Sequence, residues 1–155
     1  MSSLSLHSPL GPLTVTEADG AIVSLDWGWR ARQGEAGNGL LDLARDQLME
    51  YFDGARTTFA LPLSPSGTPF QRRVWRQMMA IPYGATQSYG EMAALCGGGA
   101  RAVGTACGRN PIPVIIPCHR VVATGGRLGG YSGGGGPATK SFLLTLEAGE
   151  TRLFA

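Results

Sequence analysis

The hexapeptide Ser-Pro-Ser-Gly-Thr-Pro at residues 64–69 splits the chain into two stretches that follow different rules. Proline removes a backbone donor and fixes φ, so neither a helix nor an inner strand runs through this segment. Residues 1–66 and 67–155 are therefore read as separate units, and 155 residues are enough to give each a core. Charge divides at the same place. Residues 1–66 carry four Arg against eight acids, whereas residues 67–155 carry nine Lys or Arg against three acids. A net of −4 followed by +6 turns the second unit toward a polyanion, which the overall charge of +2 conceals. Chance clustering in an Arg-rich chain is the alternative, and charge alone leaves the two open.

The first unit alternates like a small sheet: LTVTEAD (13–19) and AIVSLDW (21–27) meet at Gly20 as a hairpin. Residues 39–54 place Leu40, Leu41, Leu43, Leu48, Met49 and Phe52 near helical spacing, with Gly54 as a stop. TFALPL (58–63) predicts one further strand.

The second unit reads as helical. Thr68-Pro69-Phe70-Gln71 is a helix start with a capping Thr, a first-turn Pro and a reciprocal Gln, followed by an apolar stripe of Phe70, Val74 and Met78. Ser88-Tyr89-Gly90-Glu91 opens a second helix through Leu95, Gly97–Gly99 turn the chain, and a third helix runs from about Ala100 to Cys107. Two short helices joined by a glycine turn form the helix-turn-helix pattern. The third, ARAVGTAC, has Arg101 as its one large polar side chain among small residues that weaken a helix. Pattern alone favours tight packing against another helix; an arginine beside a basic unit shifts the reading toward nucleic acid.

IIPCHRVV (115–122) is a different kind of constraint. Apolar pairs on both flanks send Cys118, His119 and Arg120 inward together, and buried polar groups need partners. Cys96, Cys107 and Cys118 are spaced by 11, with only His119 near them, which matches no zinc pattern. Three is an odd number without a framework of spacings, so structural disulfides are not expected and a reducing, cytoplasmic setting fits. Neighbours on a strand point to opposite faces, so His119 is a poor direct base for Cys118 and would act through a bridging water. An inert buried thiol is the commonest fate of a lone cysteine. The glycine tract before Lys140 lacks the final Gly of a phosphate loop, since Thr139 stands there. No apolar run reaches the roughly 18 residues of a membrane helix, and the N-terminus lacks the basic start of a secretory signal.

IPCHRVV, preceded by RNPIPVI and followed by GGRLGGYSGG, resembles the active-site segment of the O6-alkylguanine-DNA alkyltransferases, the methylated-DNA–protein-cysteine methyltransferases. FQRRVWRQM, IPYGATQSYGEMAAL, ARAVG and KSFLLTLE extend the likeness over residues 67–149, while residues 1–66 resemble the family's variable N-terminal domain only in layout. The resemblance implies an α/β chain: a small N-terminal RNase H-like α/β domain, then a mainly α-helical, winged-helix-like domain with the helix-turn-helix. It implies a single-use acceptor, with Cys118 taking the alkyl group from O6 of guanine, and from O4-alkylthymine too. His119, oriented by Glu147, would draw the thiol proton through a water; Asn110 would brace the cysteine loop. Tyr89 would donate toward N3 of the leaving guanine. Ser132 would offer its N–H to O6, Tyr131 would wall the pocket, and the carbonyls of Cys118 and Val121 would receive the exocyclic amine. Arg101 would hold the place of the flipped base, with Ala100, Ala102, Gly104 and Thr105 forming a slim face for the minor groove of double-stranded DNA.

The implied protein is a monomer needing neither cofactor nor metal, and His7 alone supplies no zinc set in the first unit. GGGGPATK (133–140) is longer and richer in glycine than the family's usual run, which bears on loop mobility and bulky alkyl groups. Two alternatives stand beside this. A non-enzymatic sensor of alkylated DNA would replace the cysteine, commonly with tryptophan, and Cys118 argues against it. A site-specific helix-turn-helix regulator is disfavoured because ARAVGTAC offers few groups to read base edges.

Overall fold

The computed structural model describes residues 1–31, 38–131 and 133–149 and divides into two compact units, Met1–Ser66 and Gly67–Ala155. In the first, strands β1 (Ser2–Leu6), β2 (Leu13–Ala18) and β3 (Ala21–Trp27) form an antiparallel sheet in the order β1-β2-β3. The β2–β3 turn is Asp19-Gly20 with φ of 51° and 81°, the left-handed pair that a two-residue hairpin requires. Strand β1 escapes a reading by propensity because serine is no strand former. Its hydroxyls work instead as cross-strand partners: Ser3 Oγ lies 2.9 Å from Thr16 Oγ1, and Ser5 Oγ lies 2.7 Å from Thr14 Oγ1.

Helix α1 (Gly39–Phe52) is capped by Asn38, whose side chain accepts from Leu41 N, and it packs against all three strands. Its buried face is Leu41, Ala44, Gln47, Leu48, Tyr51 and Phe52, so two of the expected core leucine-type positions, Leu43 and Met49, face solvent instead. The strand expected over 58–63 does not form. Pro62 has no N–H for a ladder, and Ala60 is held through both its backbone groups by the amide of buried Gln47, at 2.8 and 3.2 Å. Only an isolated bridge between Ile22 and Leu63 remains.

In the second unit α2 (Pro69–Met79) begins at the complete Thr68/Gln71 capping box. Strand β4 (Gln87–Ser88) leads into α3 (Tyr89–Cys96), where Ser88 and Glu91 make a second box. Helix α3 ends on Gly97 at φ 80°, and α4 (Ala100–Gly108) follows. A Cβ on Gly98 would sit 2.6 Å from the Phe70 ring, so the turn needs glycine because that ring packs onto it. Trp75, buried beside Val74 and Met78, ties α2 to α4 through Nε1–H to the Ala106 carbonyl at 2.9 Å. A 3-10 turn at Cys118–Arg120 runs into β5 (Val121–Val122), which pairs in parallel with β4. After a second 3-10 turn (Thr124–Gly126) comes α5 (Pro137–Glu147). The glycine tract winds into the start of α5, with Gly135 N–H donating to Thr139 Oγ1 at 2.8 Å. No helix among the described residues is long and apolar enough to cross a membrane.

Candidate active site

The loop before the cysteine is built by prolines and one asparagine. Asn110 Nδ2 donates to the Ile116 carbonyl at 2.8 Å and its Oδ1 accepts from Ile112 N at 2.9 Å, closing the loop from inside. Between them buried Val114 sits at φ 72°, a costly conformation for a β-branched residue that surrounding packing must enforce.

Cys118, His119 and Arg120 then occupy the 3-10 turn and not a strand. Three residues per turn fan successive side chains around the axis in place of strand alternation. His119 and Arg120 both reach Glu147 on α5, while Cys118 meets Asn110 and Tyr131. Nearly all of this is interior: His119 is 0 % exposed, Glu147 5 %, and Arg120 and Cys118 7 % each.

Glu147 is the centre of the polar cluster. Its Oε2 lies 2.7 Å from His119 Nε2 and 3.0 Å from Arg120 Nη2, and its Oε1 accepts from Arg120 Nε at 2.8 Å. Arg120 Nη1 donates to the Ile81 carbonyl at 2.7 Å, and the guanidinium lies over the Tyr83 ring. His119 Nδ1 is buried and has no partner among the described residues. Burial dominates its titration and lowers its proton affinity below the ordinary histidine range; Glu147 opposes this, while Arg120 and Lys140 add to it.

Around the thiol, burial raises the Cys118 pKa, and contacts with the Asn110 and Tyr131 side chains together with the charge of Lys140 pull it back down. The Tyr131 hydroxyl interacts with the sulfur without forming a well-directed bond, and burial holds the phenol far above its usual range. Tyr89 is pushed up to about 12, chiefly by burial and then by the thiols of Cys107 and Cys118. Cys107, on α4, is also raised to about 12 by burial and by Cys118, so the C-terminal end of α4 borders the site. All three cysteines are free.

Lys140 and Arg120 are further side chains of the site, to which the sequence alone assigns no role. Lys140 is 0 % exposed; its ammonium donates to the Val121 carbonyl at 2.7 Å and to the Gly130 carbonyl at 3.2 Å, and lies 5.7 Å from the Tyr89 ring centre. A signal existed. Lys140, Leu143 and Glu147 fall at i, i+3 and i+7, so the two charges share the stripe of a core leucine. The Val121 carbonyl expected to receive the base's amine therefore already holds Lys140, and the Cys118 carbonyl accepts from Val121 N. One lone pair on each stays open. Ser132 lies outside the described residues.

On α4 the side chains of Val103 and Ala106 are buried, while Ala100, Arg101, Ala102 and Thr105 are exposed. A Cβ on Gly104 would meet nothing within 4 Å, so this glycine does not serve packing against another helix. Thr105 Oγ1 bonds back to the Arg101 carbonyl at 3.1 Å. Arg101 stands six residues before Cys107, about 9 Å along the helix from the end that borders the thiol. The outward positive charge is smaller than the count implies, since Arg120 and Lys140 are interior; Arg72, Arg73, Arg76, Arg101, Arg109 and Arg127 are exposed. Among the described residues no group of three or more His, Cys, Asp or Glu could hold a metal ion.

Comparison with known proteins agrees with this architecture in both units. Residues 69–149 match the family model described as the 6-O-methylguanine DNA methyltransferase DNA binding domain, and residues 4–65 match that of its ribonuclease-like domain. The methylated-DNA–protein-cysteine methyltransferase of Mycobacterium leprae is 44% identical over 92% of this chain and 90% of its own length. The constitutive enzyme of that name from Bacillus subtilis is 42% identical over 91% of this chain and 92% of its own. The OGT of Mycobacterium tuberculosis, solved in complex with DNA, superposes with a TM-score of 0.85 at 42% identity, covering 96% of this chain and 94% of the other. With both units matched and relatives above 40% identity along nearly the whole length, the chain belongs to the methylated-DNA–protein-cysteine methyltransferase family.

Proposed function

We propose that Cys118 is the acceptor that takes the alkyl group directly from O6 of guanine, and from O4-alkylthymine, in double-stranded DNA. The sulfur attacks the alkyl carbon, an S–C bond forms, the C–O6 bond breaks, and its electron pair leaves on guanine. The thiol proton goes through a water to His119 Nδ1, and the departing base gains a proton at N3 with help from Tyr89. Net, a thiol and an O6-alkylguanine become a thioether and guanine. Nothing in this sequence of steps removes the alkyl group again, so each molecule acts once.

The observation that carries the reading is the buried His119–Glu147 pair at 2.7 Å, beside a thiol whose pKa is raised, with Nδ1 left as an open acceptor. A protonated thiol is a weak nucleophile, so a base positioned for its proton is what the chemistry needs. Donors at the guanine edge stabilise the anion that leaves, which fits Tyr89 and Tyr131. The thiol is interior, so the damaged nucleotide must leave the stack to meet it, at a few kcal/mol. Exposed Arg101 on a face of small residues suits insertion through a minor groove about 6 Å wide. The exposed arginines supply phosphate affinity without sequence choice. Residues 1–66 act as a support and residues 67–155 as the DNA-binding, alkyl-accepting domain. The protein works as a monomer, and three free thiols suit a reducing cytoplasm.

The decisive test is to incubate the protein with an oligonucleotide bearing O6-methylguanine and weigh it intact. One added methyl that maps to Cys118 and is absent in Cys118→Ala supports the reading. Unmodified protein that stays bound to the lesion would instead make it a sensor.

A further inference from the structure

We propose that Arg120 is a positioning residue for the alkyl transfer: it locks Glu147 as a carboxylate and thereby fixes His119 in the tautomer whose Nδ1 is free to accept a proton. This role rests on the reading of Cys118 and His119 as acceptor and base, and it follows from which atoms donate and which accept. The guanidinium is always charged and can only donate. Two of its N–H groups meet both oxygens of Glu147, at 2.8 and 3.0 Å. A carboxyl that accepts on both oxygens beside a fixed cation has no favourable place for its own proton. An ionised Glu147 can only accept, so His119 Nε2, 2.7 Å away, must carry the hydrogen. The remaining ring nitrogen, Nδ1, is then bare, and it is the one with no partner among the described residues.

Arg120 is also held independently of the carboxylate it orients. Its third donor group bonds the Ile81 carbonyl at 2.7 Å, and the guanidinium lies 5.8 Å from the Tyr83 ring centre. This matters because stability alone is a poor reason to bury such a pair: replacing both partners with apolar residues is often neutral or better. An apolar residue at 120 would leave Glu147 free to take up a proton. A neutral carboxyl would then donate to Nε2, moving the ring hydrogen to Nδ1, where it blocks the base.

The charges facing His119 are few. Glu147 and Lys140 come from α5 and Arg120 from its own turn. Helix α2, which also packs on this turn, keeps Arg72, Arg73 and Arg76 exposed. At rest His119, Glu147 and Arg120 together are neutral, and a proton on His119 makes them positive. Arg120 therefore sets the tautomer, and its charge adds to burial in keeping His119 neutral before the thiol gives up its hydrogen.

The test is ¹⁵N NMR of histidine-labelled protein, which reports the hydrogen on each ring nitrogen without any alkyl transfer, combined with rates of transfer from free O6-benzylguanine, which needs no DNA. In the wild type His119 should show the Nε2–H form alone down to the lowest pH at which the protein stays folded. A shift toward Nδ1–H above pH about 5, where an ordinary carboxyl of pKa about 4.3 begins to titrate, would overturn the proposal with no variant needed. Arg120→Met should populate Nδ1–H, slow transfer at neutral pH at least tenfold and move the acid limb of the rate profile upward, while Arg120→Lys keeps the wild-type limb. A folded Arg120→Met with the wild-type tautomer and limb would also overturn it. Absence of any alkyl mass on wild-type Cys118 would defeat the functional reading instead, and the NMR result separates the two failures.

Discussion

Replacing Glu147 with glutamine changes one oxygen to an NH₂ group and tests the site at its centre. Glu147 accepts from His119 Nε2 at 2.7 Å and from Arg120 at 2.8 and 3.0 Å. Glutamine has one accepting oxygen and one donating NH₂. The guanidinium donates to both carboxylate oxygens, so in either orientation the NH₂ faces one of its donors. With NH₂ at the Oε2 position His119 Nε2 must become an acceptor and the ring hydrogen moves to Nδ1; with NH₂ at Oε1 the tautomer is kept, but the imidazolium that forms has no anion beside it. The buried guanidinium also loses its counter-charge. Breaking such a pair on one side costs about 3–5 kcal/mol. For a chain of this size that is a fall in melting temperature of roughly 6–20 °C, at about 2–4 °C per kcal/mol.

The rate effect is separable from the stability effect. A positioned general base contributes about 10²- to 10⁴-fold, and a base in the wrong tautomer, or without a carboxylate to stabilise its charged form, contributes little of it. Single-turnover transfer from an O6-methylguanine duplex, timed by quenching at a temperature well below the variant's melting point, should slow by about that factor at pH 7. The pH dependence carries the sharper signature. Wild-type rate should stay level across neutral pH, because neutral His119 takes the proton from a thiol whose pKa is raised. The variant must wait for the thiol to ionise unaided, so its rate should climb with pH. A Glu147→Gln protein that transfers within threefold of wild type at pH 7, with the same level profile, would refute the assignment of His119 as base.

Arg101→Ala should weaken reaction with alkylated duplex DNA at least tenfold more than reaction with the free O6-alkylguanine base; equal losses on both substrates would remove its place in base flipping. Stability should decline as pH falls below about 6.5, because the unfolded chain binds a proton on His119 there that the folded site resists. Urea midpoints between pH 7.5 and 5.5 should show the decline, and His119→Gln should flatten it. Gly98→Ala should cost about 1–3 kcal/mol by pushing a Cβ to within 2.6 Å of the Phe70 ring, read as a lower denaturation midpoint with free-base transfer unchanged.

Much of the local structure was legible from the chain itself. Both capping boxes, the Asp19-Gly20 hairpin and the helix-glycine-helix pattern are short-range chemistry, where donors, acceptors and allowed φ lie within four residues. Strand β1 was missed and a strand over 58–63 was wrongly expected for a shared reason: the deciding partners are distant. Thr14 and Thr16 satisfy the β1 serines, and Gln47, thirteen positions away, occupies the groups of Ala60 that a ladder would need.

The site divides in the same way. A thiol, an imidazole and a guanidinium driven inward by flanking apolar pairs are visible in IIPCHRVV, since burial follows from local composition. The way those three side chains fan depends on the 3-10 turn, which is set by Asn110 and the proline loop, and local alternation predicted it wrongly. Lys140 looked from sequence like part of a basic surface, and Arg120 was legible as buried but without a partner. The tertiary structure turns Lys140 inward and supplies both partners, 19 and 27 residues away along the chain, that meet the cost of burying each charge. Sequence determined which helices form and that the thiol, imidazole and guanidinium of IIPCHRVV are buried. The fold alone decided which buried groups meet, since Coulomb and hydrogen-bond energies depend on separation in space and carry no record of separation along the chain.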